Sequence, residues 1–271
     1  MALTREPAVA GQFYNGSRES LEKEVAALVD EKAAKVPAIG VLSPHAGYMY
    51  SGPVAGSVFS SIEPSGVYVI LGPNHTGLGA EFALSKSSGW STPLGKVLID
   101  RELRAAIKNN TRYVTDDDIA HQFEHSIEVQ LPFLQYTVKD FKFVPIVISG
   151  AALDVYREIG MAIAKAIRDL RLLKKAVIVA SSDMTHYESR SQAARKDKMA
   201  IEAILELDEE ELIKRVSSYD ISMCGYAPAV IMISAAKELG AKNARLVKYA
   251  TSGDVTGDDS SVVGYAGIVV Y

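Results

Sequence analysis

The chain has 271 residues, 48% of them hydrophobic and 23% charged, a balance that excludes intrinsic disorder and allows a large core. Its formal charge is −4, with Lys and Arg scattered rather than gathered into a stripe, which argues against nucleic acid and for a small-molecule or peptide ligand. The single cysteine excludes an intrachain disulfide and any Cys-x-x-Cys motif, and the lack of a signal-like N-terminus or a run of about 18 apolar residues predicts a cytoplasmic protein without membrane contact.

No long Pro/Ser/Gly linker interrupts the chain, so residues 1–271 read as one domain. Short β-branched runs alternate with long amphipathic stretches, which predicts an α/β fold in three α/β/α layers, with helices on both faces of a mainly parallel sheet. In chain order, a helix is expected at 18–29, a strand at 39–43 and another at 67–71. A strand or hairpin follows within 81–100, then helices at 101–109 and 124–136. A strand at 143–148 leads to a helix at 154–170, and a strand at 176–180 to helices at 189–205, 209–217 and 227–239. Strands at 244–251 and 262–271, separated by a loop rich in Gly, Asp and Ser, predict an antiparallel pair at the C-terminus.

Three of the strongest strands end alike. The first runs into Pro44-His45, the second into Gly72-Pro73-Asn74-His75, and the strand at 176–180 into Ser181-Ser182-Asp183-Met184-Thr185-His186. Ligands of open α/β sheets bind outside the carboxyl ends of the strands, so these histidines meet in one site if their strands are neighbours. One such histidine reads as an ordinary loop residue, but three wrapped in turn-forming residues read as a functional site.

A second cluster runs from His121 to Glu128. A helix there puts His121 and His125 one turn apart with Glu128 on nearly the same face, and Asp116–Asp118 would favour its N-terminus. Gln122 occupies the place of the Glu that a zincin His-Glu-x-x-His requires. His121 is therefore assigned to structure, while His125 is open between structure and site. Cys224 precedes an apolar helix, where the N-terminal field favours the thiolate, although free cysteine is more often an inert core residue. P-loop, Gly-x-Gly-x-x-Gly and Gly-x-Ser-x-Gly motifs are absent, which disfavours nucleotide, dinucleotide and α/β-hydrolase chemistry. Asp254, Asp258 and Asp259 lack the spacing of an EF-hand and read as a tight acidic turn.

Five ordered motifs, Arg5-Glu6-Pro7-Ala8-Val9-Ala10-Gly11-Gln12-Phe13-Tyr14, Pro44-His45-Ala46-Gly47-Tyr48 with Ser51-Gly52, Leu71-Gly72-Pro73-Asn74-His75, Glu124-His125-Ser126 and Ser182-Asp183-Met184-Thr185-His186-Tyr187, together resemble the Memo family. The resemblance covers nearly the whole chain. It implies a fold like that of the class III extradiol (LigB-type) dioxygenases and one transition-metal ion, iron or copper, at His45, His75 and Cys224, with Asp183 and His186 lining the cavity. The dioxygenases hold iron by two His and one carboxylate; a thiolate as third ligand favours Cu(I), zinc or thiolate-bound iron. The reading that follows is dioxygenase-like redox chemistry, with His186 as acid/base, Asp183 orienting it by a hydrogen bond, and His125, Tyr48 and Tyr187 as supporting groups. The alternative is a non-catalytic module that keeps the pocket for a metabolite or phosphopeptide. The resemblance further implies association with radical-SAM and AMMECR1-type proteins.

Overall fold

A computed structural model of the chain describes residues 4–271. A short edge strand β1 (Thr4–Arg5) precedes α1 (Arg18–Leu28), β2 (Gly40–Ser43), α2 (Tyr48–Ser60) and β3 (Val67–Pro73). Strands β4 (Phe82–Leu84), β5 (Gly89–Thr92) and β6 (Gly95–Ile99) lead to α3 (Arg101–Asn110) and β7 (Thr115–Asp116). A 3-10 turn at Glu128–Gln130 runs into α4 (Leu131–Thr137), β8 (Lys142–Ile148), α5 (Leu153–Asp169), β9 (Ala176–Ser181) and β10 (His186–Glu188). The chain continues with α6 (Arg190–Leu205), α7 (Glu209–Ser218), α8 (Tyr226–Glu238), β11 (Ala244–Thr251), α9 (Gly253–Thr256) and β12 (Val262–Val270).

The strands form one twelve-stranded mixed sheet, whose main path is β1-β5-β6-β8-β3-β9-β2-β12-β10. Its centre, β8-β3-β9-β2, is parallel. Runs such as VYVILGP and AVIVAS are buried throughout, as expected for strands covered on both faces. Successive residues divide between two cores: Val69, Leu71, Ile178 and Ala180 face α3, α5, α6, α7 and α8, while Tyr68, Ile70, Val177 and Val179 face α1, α2 and α4. Side chains cap several helices where the sequence supplies an acceptor, with Ser17, Asp100 and Asp208 taking backbone N–H groups at the starts of α1, α3 and α7. The three-layer arrangement, the β5–β6 hairpin and the antiparallel β11–β12 pair match the sequence expectations.

One element was missed and one expectation fails. Helix α2, which carries Gly52, Pro53 and Gly56, was not foreseen; it is buried on almost every side, and its glycines let the end of α1 approach closely, a Cβ on Gly56 colliding with the Leu28 carbonyl. The helix expected at 124–136 begins only at the 3-10 turn, and residues 121–127 are irregular. His121 and His125 therefore do not share a helical face. Asp116, Asp117 and Asp118 do not start a helix either: Asp117 takes the N–H groups of Ala80 and Ile119, Asp118 takes Ser85 and Lys86, and Asp116 pairs with Arg104 and Lys108.

Candidate metal centre

Strands β3, β9 and β2 lie side by side and parallel, so their carboxyl ends open on one crevice. The backbone N–H of His45, just past β2, donates to Asp183 Oδ1 at 2.7 Å. Its Nδ1 lies 2.9 Å from Ser181 Oγ at the end of β9. Ser181 donates its only hydrogen to the Ser126 carbonyl at 2.6 Å and accepts one from Gln130 Nε2 at 2.9 Å. With that hydrogen spent, the His45 Nδ1 must be the donor, which leaves a lone pair on Nε2. Burial, then the neighbouring His75 and His125, hold His45 well below its ordinary pKa, so the ring is neutral.

His75, past the end of β3, is tied twice to Glu124: its backbone N–H donates to Oε2 at 2.7 Å and its Nδ1 lies 3.0 Å from Oε1. The carboxylate is fully buried and also takes the Ser126 N–H at 2.8 Å. Burial alone would raise Glu124, but the His75 bond and charge and the Ser126 N–H outweigh it and hold the carboxyl down to about 2. Burial likewise lowers His75, yet Glu124 overcomes it and the net shift is upward. A carboxylate on Nδ1 fixes the ring and leaves Nε2 free, the usual support for a metal-ligating histidine.

His125 completes the group. Its ring stacks on His75 at 4.9 Å and 20° and meets His45 edge-on at 5.6 Å, with Phe13 packed 4.7 Å away. One ring nitrogen from each of His45, His75 and His125 lies within 4.8 Å of the others. No helix presents His125. Instead Arg5 grips the loop, its Nε donating to the His121 carbonyl at 2.7 Å, NH2 to the Glu124 carbonyl at 2.6 Å and NH1 to Glu128 Oε2 at 2.6 Å. Glu128 also accepts from Ala8 N, Val9 N and the Tyr14 hydroxyl, so the N-terminal motif serves as a buried clamp. His121 is buried outside the cluster, with Nε2 3.0 Å from the Ala83 carbonyl; burial and Arg5 push it down to about 4.

On the other side of His45, Cys224 Sγ lies 3.2 Å from His45 Nε2 and accepts the Asp183 N–H at 3.3 Å. Gly225 permits this approach, since a Cβ there would collide with the Ser181 carbonyl. The thiol is not predisposed to ionise as expected: burial, then the Asp183 charge, push it up, and this outweighs the start of α8. Asp183 does not orient His186; its carboxylate holds the His45 backbone, and burial pushes it up to about 6. His186 instead sets Nδ1 3.0 Å from the Ser222 carbonyl, at the margin of the site beside the exposed Tyr187. Tyr48 is also used elsewhere, its buried hydroxyl donating to the Val129 carbonyl at 2.6 Å. Buried Asp197 of α6 anchors the Asp183–His186 loop by accepting the Thr185 N–H at 2.8 Å and the Tyr249 hydroxyl at 2.7 Å.

Sequence reasoning missed Glu124, Ser181 and Gln130 as individual site residues. Ser181 sits at a strand end and Glu124 beside a histidine, but nothing in their spacing says which ring each will hold. In the C-terminal loop, Asp254 and Asp259 both pair with Arg190, in keeping with the structural reading of that acidic turn.

The donors suit a transition metal: three imidazoles that each offer a ring nitrogen to one small space, and a sulfur beside one of them. Among the described residues no helix is long and apolar enough to cross a membrane. A family model described as Memo-like protein matches residues 5–269. A MEMO1 family protein of Pyrobaculum aerophilum is 48% identical over 98% of this chain and 99% of its own length. Those of Methanococcoides burtonii and Aquifex aeolicus are 46% and 44% identical, each over 98% of this chain and at least 98% of their own length. Among solved structures, an uncharacterized protein from Escherichia coli K12 shares the fold, with a TM-score of 0.54 at 14% identity over 85% of this chain and 98% of that one. With nearly every residue covered at such identity, the chain belongs to the Memo family.

Proposed function

We propose that this protein binds one iron or copper ion at His45, His75 and Cys224 and acts as a dioxygenase-like oxidoreductase on a small molecule. The observation that carries the reading is the fixed tautomer of the two best-supported rings: Ser181 and Glu124 engage Nδ1 of His45 and His75 and leave both Nε2 lone pairs free, with Cys224 Sγ 3.2 Å from the first. A bound iron or copper ion would supply one-electron chemistry and Lewis acidity. The chain's own part is to hold neutral imidazoles in place and to give up the thiol proton, which must leave if sulfur is to ligate. Asp183, whose carboxyl burial pushes up to about 6, lies beside this space as a group able to hold or move a proton, with His125 and His186 around it.

Metal analysis of protein purified without chelator tests the site. About one ion per chain is expected, with His45→Ala and His75→Ala each abolishing tight binding in folded protein. Cys224→Ser and His125→Ala separate the possible third ligands. Cu(II) added anaerobically should give a sulfur-to-metal charge-transfer band that Cys224→Ser lacks and His125→Ala keeps. Loss of metal in His125→Ala with normal stoichiometry in Cys224→Ser would instead assign the ion to three imidazoles. A loaded protein that consumes no O2 with reductant across a panel of small phenols and catechols would favour the non-catalytic binding module.

A further inference from the structure

Strand β12 pairs antiparallel with β2 through Ile268↔Leu42, Val269↔Val41 and Val270↔Gly40. Tyr265 lies three residues beyond the last pair of that ladder, toward the end of β2 from which the chain runs on to His45. The neighbouring Gly264 exchanges backbone hydrogen bonds with Met184 and Thr185 at 2.8 and 2.9 Å, so β12 also touches the loop that carries Asp183 and His186. A Cβ on Gly264 would meet Asp197 and Met184, on the α6 face. Alternation along the strand turns Tyr265 to the opposite face, the one shared by α2 and by the side chains that continue the Val177, Val179 row to Ser181.

Tyr265 is only 2% exposed, yet its hydroxyl has no hydrogen-bond partner among the described residues and is not among the fully enclosed polar atoms. Buried tyrosines ordinarily pair their hydroxyl. A sunken ring with an open, unpaired hydroxyl is what a ligand-facing tyrosine presents. The titratable groups that act on it are Asp183, Tyr50 and Tyr187, all near the crevice. Burial pushes the phenol above its ordinary value, so it stays protonated and offers a donor.

We infer that Tyr265 is a substrate-contacting residue of the proposed metal centre, its hydroxyl donating a hydrogen bond to an oxygen acceptor, such as a carboxylate, on a small organic ligand. This rests on the metal reading above. A donor is the useful group at this position because Asp183 already places an acceptor in the crevice, and the rings of Phe13 and Tyr187, beside His125 and His186, favour a ligand with an apolar body.

Co(II) loaded into the parent and into Tyr265→Phe provides the test, with benzoate titrated while the visible Co(II) bands are followed. Both proteins should bind the same amount of Co(II) and melt at the same temperature, because the hydroxyl has no partner to lose among the described residues. The variant should need on the order of tenfold more benzoate, the equivalent of about 1.4 kcal/mol. Equal benzoate affinity in the two proteins, or a parent whose bands do not respond, overturns the inference. A lower melting temperature in Tyr265→Phe overturns it as well, since the hydroxyl would then be structural. A parent that takes up neither Co(II) nor iron nor copper overturns the metal reading itself, and this inference with it.

Discussion

The two halves of the centre are held by different means. Ser181 stands in the ladder at the end of a parallel strand, and His45 and His75 stand just past two others, where the Asp183 and Glu124 carboxylates take their backbone N–H groups. Glu124 and His125 stand on an irregular segment that no ladder holds; the Arg5–Glu128 pair holds it instead, with side-chain sites on each bonding backbone groups of the other segment. The strand half is therefore anchored one or two residues from the buried ladders of the sheet. The loop half is only as rigid as one buried ion pair and its hydrogen bonds, and that pair is 123 residues apart in the chain.

Breaking the clamp should give the largest effect. Arg5→Met keeps most of the packing against Trp90, whose ring lies 4.1 Å from the guanidinium carbon, but leaves Glu128 buried without its cation. Removing one partner of a buried pair costs about 3–5 kcal/mol. Denaturant unfolding should show that loss, and hydrogen exchange should speed up across 121–128 while β2, β3 and β9 stay protected. Equal loss of protection in both halves would show that the strand ends depend on the clamp too.

Glu124→Gln probes the joint between the halves. The carboxylate takes three N–H groups, from His75 twice and from Ser126, and an amide cannot accept them all. Stability at neutral pH should fall by about 1–3 kcal/mol and metal affinity by about 10–100-fold. Without metal, the pH dependence gives a second measure. Glu124 is held at about 2 against an ordinary 4.5, so its contribution is present above pH 4.5 and is lost as the pH falls through about 2. His75 is held above its ordinary 6.5, so its contribution is present below that value and fades as the pH rises through the folded one. Acid titration of the parent should therefore lose on the order of 2–3 kcal/mol across the lower window, and Glu124→Gln should flatten that limb. An unchanged acid limb would mean that the carboxylate is not paired in solution.

The same division explains what could be read from the sequence. Strand-end histidines are legible because β-branched runs announce the strands, and the position just past a carboxyl end has a fixed meaning in a parallel sheet. The chain does not announce that β9 lies between β3 and β2, so convergence depended on a neighbour relation that only the fold supplies. His125 was harder. Its spacing from His121 matches a helical turn, but the clamp sets the backbone there, and an ion pair so distant in sequence leaves no periodic signal. Cys224 was misjudged in its protonation for a related reason: the helix N-terminus is visible in the sequence, whereas the burial of the thiol, and the Asp183 charge brought in by the loop after β9, are not. Helix α2 hid behind glycines whose purpose is close packing rather than turning.

The smallest expected effect concerns Tyr187, on the His186 side of the crevice. It holds a left-handed φ of 61° while 80% exposed, a conformation that costs an ordinary residue about 1–2 kcal/mol and that asparagine adopts more readily. Its one described ring contact is with His186, at 5.8 Å and 59°, too loose to repay much of that strain. Tyr187→Asn should therefore raise stability by about 0.5–1 kcal/mol, read from the denaturation midpoint at an unchanged m-value, without altering metal stoichiometry. Strain retained at an exposed position beside a binding crevice is typical of a residue kept for a ligand rather than for the fold. Benzoate binding to the Co(II) protein should weaken even as the fold gains. A variant that is less stable than the parent would show that the ring's contact with His186 outweighs the backbone strain, and Tyr187 would then belong to the support of the loop rather than to the mouth of the site.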